Sequence, residues 1–134
     1  RPGVKRRTDG AGRGEREILM YEYAATITSV YDGDTVTADI DLGFGVWVQK
    51  QKIRLFGINT PEVRGKERED GLVSRDALRA MLPQGSGIVL KTKRDKKGKY
   101  GRWLGEIYYE TQDGSLACAN EVLVARGLAK RVVY

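Results

Sequence analysis

Two short stretches concentrate oxygen-bearing side chains. "VYDGDTV" at residues 30–36 carries Asp32 and Asp34, and "RLFGINTPE" at 54–62 carries Asn59, Thr60 and Glu62. A strand end needs one or two turn formers, and five such residues on two segments exceed that need. The Asp34 carboxylate, the Asn59 amide oxygen and a nearby backbone carbonyl are suited to part of a Ca²⁺ shell, with water completing it. The competing reading is turn chemistry alone, because Asp and Gly are the default residues of tight turns.

Charged partners for a phosphate lie close by in the sequence. Arg54 sits on the strand that runs into Asn59, and Arg102 follows a lysine-rich turn. Two guanidinium groups bind one phosphate in bidentate fashion and offset the charge that builds in its transition state. Glu62 is a candidate general base for activating water, or a residue that orients a metal-bound hydroxide. Its alternative role is favourable interaction with the start of a helix. Tyr100, set among Lys96, Lys97 and Lys99, has the basic-aromatic mixture that suits backbone tracking with base stacking on single strands. Tyr134 is a weaker candidate for the same role, and Trp47 and Trp103 read as ordinary strand residues.

Composition narrows the chemistry further. The chain has no histidine, which removes every mechanism that uses imidazole as acid, base or ligand, and its single cysteine, Cys118, allows neither an internal disulfide nor a zinc cluster. No run approaches the length that spans a bilayer, and no secretory signal is visible, so no membrane partner is expected and intracellular and secreted locations both stay open. The net charge of +6 is uneven: residues 1–19 carry +3, residues 91–102 carry +6, and the remainder is slightly acidic. A local field of that density attracts polyanions. It is also what a solvated lysine-rich hairpin looks like.

These residues need elements to position them. Residues 1–19, rich in Gly and Arg, read as a flexible basic tail, a linker or an expression remnant, with the domain expected over 20–134. "YAATITSVY" and "DTVTADIDL" read as strands joined at Asp32-Gly33, the second with Val36, Ala38, Ile40 and Leu42 on one face. "GVWVQKQKIRLFGI" reads as a long third strand ending at Asn59 and Thr60, with Gln49–Lys52 an exposed ladder or a bulge. "GIVLKTKR" and "RWLGEIYYE" supply the fourth and fifth. Two helical stripes are expected in the core: Val73, Ala77, Leu78 and Met81, stopped by Pro83 and Gly85, and Leu116, Ala119, Leu123 and Val124, with Gly127 as a left-handed cap. Three strands, a helix, two strands and a helix predict a mainly β (α+β) fold, a five-stranded barrel of the oligonucleotide-binding (OB-fold) type with two to three helices.

Taken in order, "VYDGDTV", "IRLFGINTPE", "KGKYGRWLGEIY" and "NEVLVARGLAK" resemble the staphylococcal nuclease (thermonuclease) family, from about residue 24 to 131. That resemblance implies a five-stranded barrel that cleaves DNA and RNA with one Ca²⁺. It puts Arg54 and Arg102 at the phosphate-binding arginine positions and Glu62 at the proposed general-base position. Asp34 and Thr60 fall at metal positions, Thr60 through its main-chain carbonyl, with Asp32 behind them, and Tyr100 falls beside the bound nucleotide. Asn59 stands where well-known members have Asp, which predicts weaker Ca²⁺ binding. The expectation is a monomeric Ca²⁺-dependent phosphodiesterase that prefers single-stranded or frayed substrate and leaves 3′-phosphates. The alternatives are a nucleic-acid-binding module of the same fold that has lost catalysis, or a protein-interaction domain.

Overall fold

The structure, a computed structural model, describes residues 20–97 and 103–133. Arg102, Tyr100, Lys99, Tyr134 and the tail 1–19 lie outside the described residues, as do the side chains of Lys96 and Lys97.

Five strands close on themselves. β1 (Met20–Asp32), β2 (Thr35–Gly43) and β3 (Val46–Leu55) form an antiparallel meander, followed by a two-residue strand β4 (Ile58–Asn59). After helix α1 (Arg68–Met81), β5 (Gly87–Lys97) pairs with β1, and β6 (Trp103–Glu110) pairs with β5. A parallel pairing of β3 with β6, Ile53 opposite Trp103 through Leu55 opposite Gly105, completes the ring β1–β2–β3–β6–β5. Closure removes the free edges that an open five-stranded sheet would expose. The expected OB-type barrel with two α-helices is therefore present. β7 (Leu116–Cys118), α2 (Ala119–Ala125) and β8 (Lys130–Arg131) follow, with β7 paired to the outside of β6 and β8 to β4.

Alternation fills the barrel. Val36, Ala38, Ile53, Leu55, Leu90 and Ile107 are buried in its interior, and Leu78, Leu82 and Leu123 from the helical segments join the same core. The alternation fails at Leu42, which is 40% exposed. There β2 and β3 have run beyond the barrel into a projecting hairpin, so an inward-facing position no longer has a core beneath it. Gln49–Lys52 is both ladder and bulge: Ala38 pairs with Gln51 and Ile40 with Val48, leaving an extra residue on β3. Lys50 takes φ of 54°, and its N–H is held by Asp39 Oδ1 at 2.8 Å.

Three boundaries differ from the sequence-based expectation. β3 stops at Leu55 because Gly57 turns the chain (φ 80°), so Asn59 belongs to β4 and Thr60 lies just past it. The stripe on α1 holds except at its first residue. Leu78 is in the core and Ala77 and Met81 pack against it, as the stripe predicts, but Val73 is 57% exposed. The inward face is completed by Gly71 and Ser74, which sit against the Glu62 backbone and Gly33, where a larger side chain has no room. Leu116 is also exposed and belongs to β7, since residues 116–118 find ladder partners on β6 before the chain turns helical. Gly127 caps α2 as expected, with φ of 75°. Its N–H donates to the Val124 carbonyl and that of Leu128 to the Leu123 carbonyl, the Schellman arrangement.

The buried Asn120 on α2 ties the barrel mouth together. Its amide donates to the carbonyls of Phe56 and Gly105, while its oxygen accepts from Ile107 N–H. Gly71 lets α1 press against the segment that carries Glu62: a Cβ there would fall inside the Glu62 carbonyl and 2.9 Å from that of Pro61. Gly71→Ala is expected to cost about 1–3 kcal/mol through overpacking, measured as a lowered midpoint of urea denaturation.

Candidate functional site

The site is assembled at the mouth of the barrel around Asp34. The two-residue turn Gly33-Asp34 joins β1 to β2, with Asp32 opposite Thr35. Asp34 is buried, so its carboxylate must find partners within the protein. It finds three: the Thr60 N–H donates to Oδ2 at 3.0 Å, the Thr35 hydroxyl donates to Oδ1 at 3.2 Å, and Arg54 Nη1 approaches Oδ2 at 3.1 Å. The turn is shut from the other side by Asp32, whose Oδ1 accepts the Asp34 N–H at 3.1 Å. Gly33 allows this closeness, since a Cβ would come within 2.9 Å of the Thr60 side chain and 2.8 Å of Ser74 Cβ.

Arg54 is the hub between the two sequence stretches. It pairs with Thr35 across the ladder, which aims its side chain at the turn. Nη1 also donates to the carbonyls of Ile58 (3.0 Å) and Leu55 (3.3 Å), and Nη2 donates to Asn59 Oδ1 at 3.1 Å. One guanidinium thus spans the carboxylate, the amide and the backbone between them. Trp103, the residue after Arg102, lies in register with Ile53, the residue before Arg54.

Glu62 projects into the same cleft with an exposed side chain, and its N–H is fixed by Glu67 Oε1 at 3.0 Å. The cleft has a volume of about 890 Å³ and is open to solvent. Asp32, Asp34, Asn59, Arg54 and Glu62 all line it. Thr60 does not. It contributes its N–H to Asp34, while its buried hydroxyl has no hydrogen-bond partner.

Charge is crowded here. Asp32 is pushed up to about 6, first by burial, then by Asp34 and Glu62. The donor set is all oxygen, without nitrogen or sulfur, and carries mutually repelling carboxylates, which is chemistry that a hard cation would satisfy. Among the described residues, however, no three Asp, Glu or Cys side chains are gathered closely enough to form a metal cage by themselves. Asp34 and Asn59 instead turn oxygens toward Arg54.

The cleft also holds residues that the sequence reading passed over: Tyr31, Lys52, Arg64 and Arg79. Arg64 Nη2 donates to the Tyr31 hydroxyl at 3.0 Å, and Arg79 donates twice to the Val30 carbonyl, at 3.2 and 2.9 Å. Lys52 had a readable signal, since it shares the outward face of β3 with Arg54 two residues later. Arg79 had none, because only the packing of α1 on β1 brings it here.

A small closed barrel whose mouth holds an acidic, arginine-bridged cleft defines the class. The family model for staphylococcal nuclease homologues matches residues 52–134, and the chain belongs to that family. It is also similar to Endonuclease YhcR of Bacillus subtilis (strain 168), 29% identical over 116 residues that cover 81% of this chain. The chain spans only 9% of that relative's length.

The raised Asp32 makes a directional prediction. A carboxyl held above its unfolded value destabilises the fold once ionised, so its cost grows as pH rises from about 4 through about 6. Asp32→Asn keeps an oxygen for the Asp34 N–H and removes the charge. In chelator it should raise the melting temperature at pH 7.5 and leave it nearly unchanged at pH 4, as followed by circular dichroism.

Proposed function

We propose that this domain is a Ca²⁺-dependent nuclease that hydrolyses phosphodiester bonds in DNA and RNA, endo- or exonucleolytically, with preference for single-stranded or frayed substrate. The observation that carries this reading is the meeting of Arg54, Asp34, Asn59 and Glu62 in one open cleft on the barrel of this family. The name of the Bacillus subtilis relative, an endonuclease, supports the same class of chemistry.

Each residue then has a defined task. Glu62, exposed on the cleft wall and steadied through its N–H by Glu67, accepts a proton from the attacking water. Arg54 binds the phosphate and offsets charge developing on its oxygens, with Arg102 assigned the same role. To reach a phosphate, Arg54 exchanges acceptors that it now holds within the protein. Water oxygen joins phosphorus in line with the departing 5′-oxygen, so the products carry a 3′-phosphate. The residues that would hold Ca²⁺ are Asp34, Asn59 and the Thr60 main-chain carbonyl, with Asp32 behind them. When bound, the ion supplies Lewis-acid polarisation of the phosphate and a counter-charge for the carboxylates. Tyr100 and the lysines at 96, 97 and 99 are assigned to substrate binding.

Asn59 favours a second reading, a nucleic-acid-binding module without turnover, because it lowers the negative charge available to a cation. A labelled single-stranded oligonucleotide incubated with Ca²⁺ or with chelator separates the two. The nuclease reading expects Ca²⁺-dependent cleavage with 3′-phosphate ends, and a loss of about a hundredfold or more in kcat for Arg54→Ala and for Arg102→Ala. Binding without cleavage at any Ca²⁺ concentration supports the module. In calorimetric titration Asn59→Asp should tighten Ca²⁺ binding.

A further inference from the structure

The cleft continues past the acidic corner along the outer face of β1, β2 and β3, and that stretch has the opposite character. Its polar wall is Tyr31, Lys52, Arg64 and Arg79, with the Thr37 side chain between strands. None of the three basic side chains is ion-paired among the described residues, whereas Arg54 is tied to Asp34. Arg79 is fixed in place by its two hydrogen bonds to the Val30 carbonyl. Tyr31 is 52% exposed, and its hydroxyl is held by Arg64. A half-exposed ring with an anchored hydroxyl offers a flat apolar surface that does not collapse onto the protein.

Register sets the spacing. Across the sheet, Asp32, Thr35 and Arg54 form one row, and Ser29, Thr37 and Lys52 form the next. Lys52 therefore follows Arg54 on the same face by one pleat repeat, about 6.6 Å along the strand. An extended nucleic-acid backbone presents successive phosphates at a comparable repeat. A strand whose scissile phosphate lies at Arg54 would then meet cationic groups at the next phosphate and a ring beside the intervening base.

We infer that Tyr31, Arg64, Lys52 and Arg79 form a second nucleotide subsite, in which the Tyr31 ring stacks the base adjoining the scissile linkage and Lys52 with Arg79 receives the flanking phosphate. The ligand is single-stranded nucleic acid reaching at least one nucleotide beyond the cleaved bond. Recognition there is tolerant of base identity, because every base has a face to stack. The subsite rests on the nuclease reading of the same cleft and adds to it a dependence on chain length.

The test compares a labelled ten-nucleotide single strand with a dinucleotide, using wild type, Tyr31→Ala, Tyr31→Phe and Lys52→Gln, each checked for an unchanged melting temperature. Tyr31→Ala should lower kcat/KM on the ten-mer about tenfold more than on the dinucleotide. Tyr31→Phe should retain most of the ten-mer preference. Lys52→Gln should reduce the slope of log affinity against log salt by about 0.7, the share of one phosphate contact on a single strand. Equal losses on both lengths in Tyr31→Ala, with an unchanged salt slope in Lys52→Gln, would overturn the subsite while leaving the nuclease reading intact. If the wild type cleaves neither substrate, the nuclease reading fails. Anisotropy with the ten-mer then decides the subsite: weaker binding by Tyr31→Ala upholds it, and unchanged binding overturns it.

Discussion

The Asp34 carboxylate is the constraint on which the site depends. It is buried, so it must be paired, and its partners come from three separate places in the chain. Thr35 is its neighbour, Arg54 comes from the far end of β3, and the Thr60 N–H comes from beyond β4. Satisfying one charge therefore fixes the β1–β2 turn, the outlet of β3 and the segment leading to Glu62 relative to one another. The Asp34 carbonyl reinforces the joint by accepting the Leu55 N–H at 2.8 Å. Loss of the carboxylate would leave the Thr60 N–H and part of the Arg54 guanidinium without acceptors in a partly dry setting, a larger penalty than a net hydrogen bond suggests.

That joint requires close approach, and small residues provide it. Gly33 and Ser74 bring the turn against α1, and Gly71 brings α1 against the backbone at Glu62. The Ser74 hydroxyl donates to the Leu128 carbonyl at 2.7 Å, which couples the helix to the segment after α2. β8 then pairs with β4, and the Val132 N–H donates to the Gly57 carbonyl, so the short strand that carries Asn59 is fastened on its outer side. A rigid barrel thus holds its functional side chains on turns and strand ends. This division suits a site whose carboxylates would otherwise move apart.

Much of this was legible in the residues. The alternation of β2, a turn at Gly33 and the glycine cap at Gly127 are local signals with local causes. The turn falls one residue later than expected, at Gly33-Asp34, with Asp32 still paired to Thr35. The order of elements implied the barrel, and the oxygen-bearing residues of the two stretches marked its mouth. What escaped is what depends on packing. Val73 matches the helical period but faces solvent, because the buried face of α1 runs through Gly71, Ser74 and Leu78 and leaves Val73 at its margin. Leu42 matches the strand period but lies where the hairpin has left the core. Arg79 and Arg64 enter the cleft only through contacts 49 and 33 residues away in sequence, which no short motif encodes.

Arg54 links the metal and phosphate halves of the proposed function, since the same guanidinium now engages Asp34 and Asn59 and is the group proposed to bind a phosphate. Cation binding at those oxygens and phosphate binding at Arg54 should therefore favour each other, and linkage makes the coupling reciprocal. The most direct test is calorimetric titration of Ca²⁺ with and without a saturating, cleavage-resistant phosphorothioate oligonucleotide, for wild type and Arg54→Ala. In the wild type the oligonucleotide should tighten Ca²⁺ binding, Ca²⁺ should tighten oligonucleotide binding by the same factor, and Arg54→Ala should remove most of this coupling. Independent binding of the two ligands in the wild type, or equal coupling in both proteins, would contradict the link through Arg54.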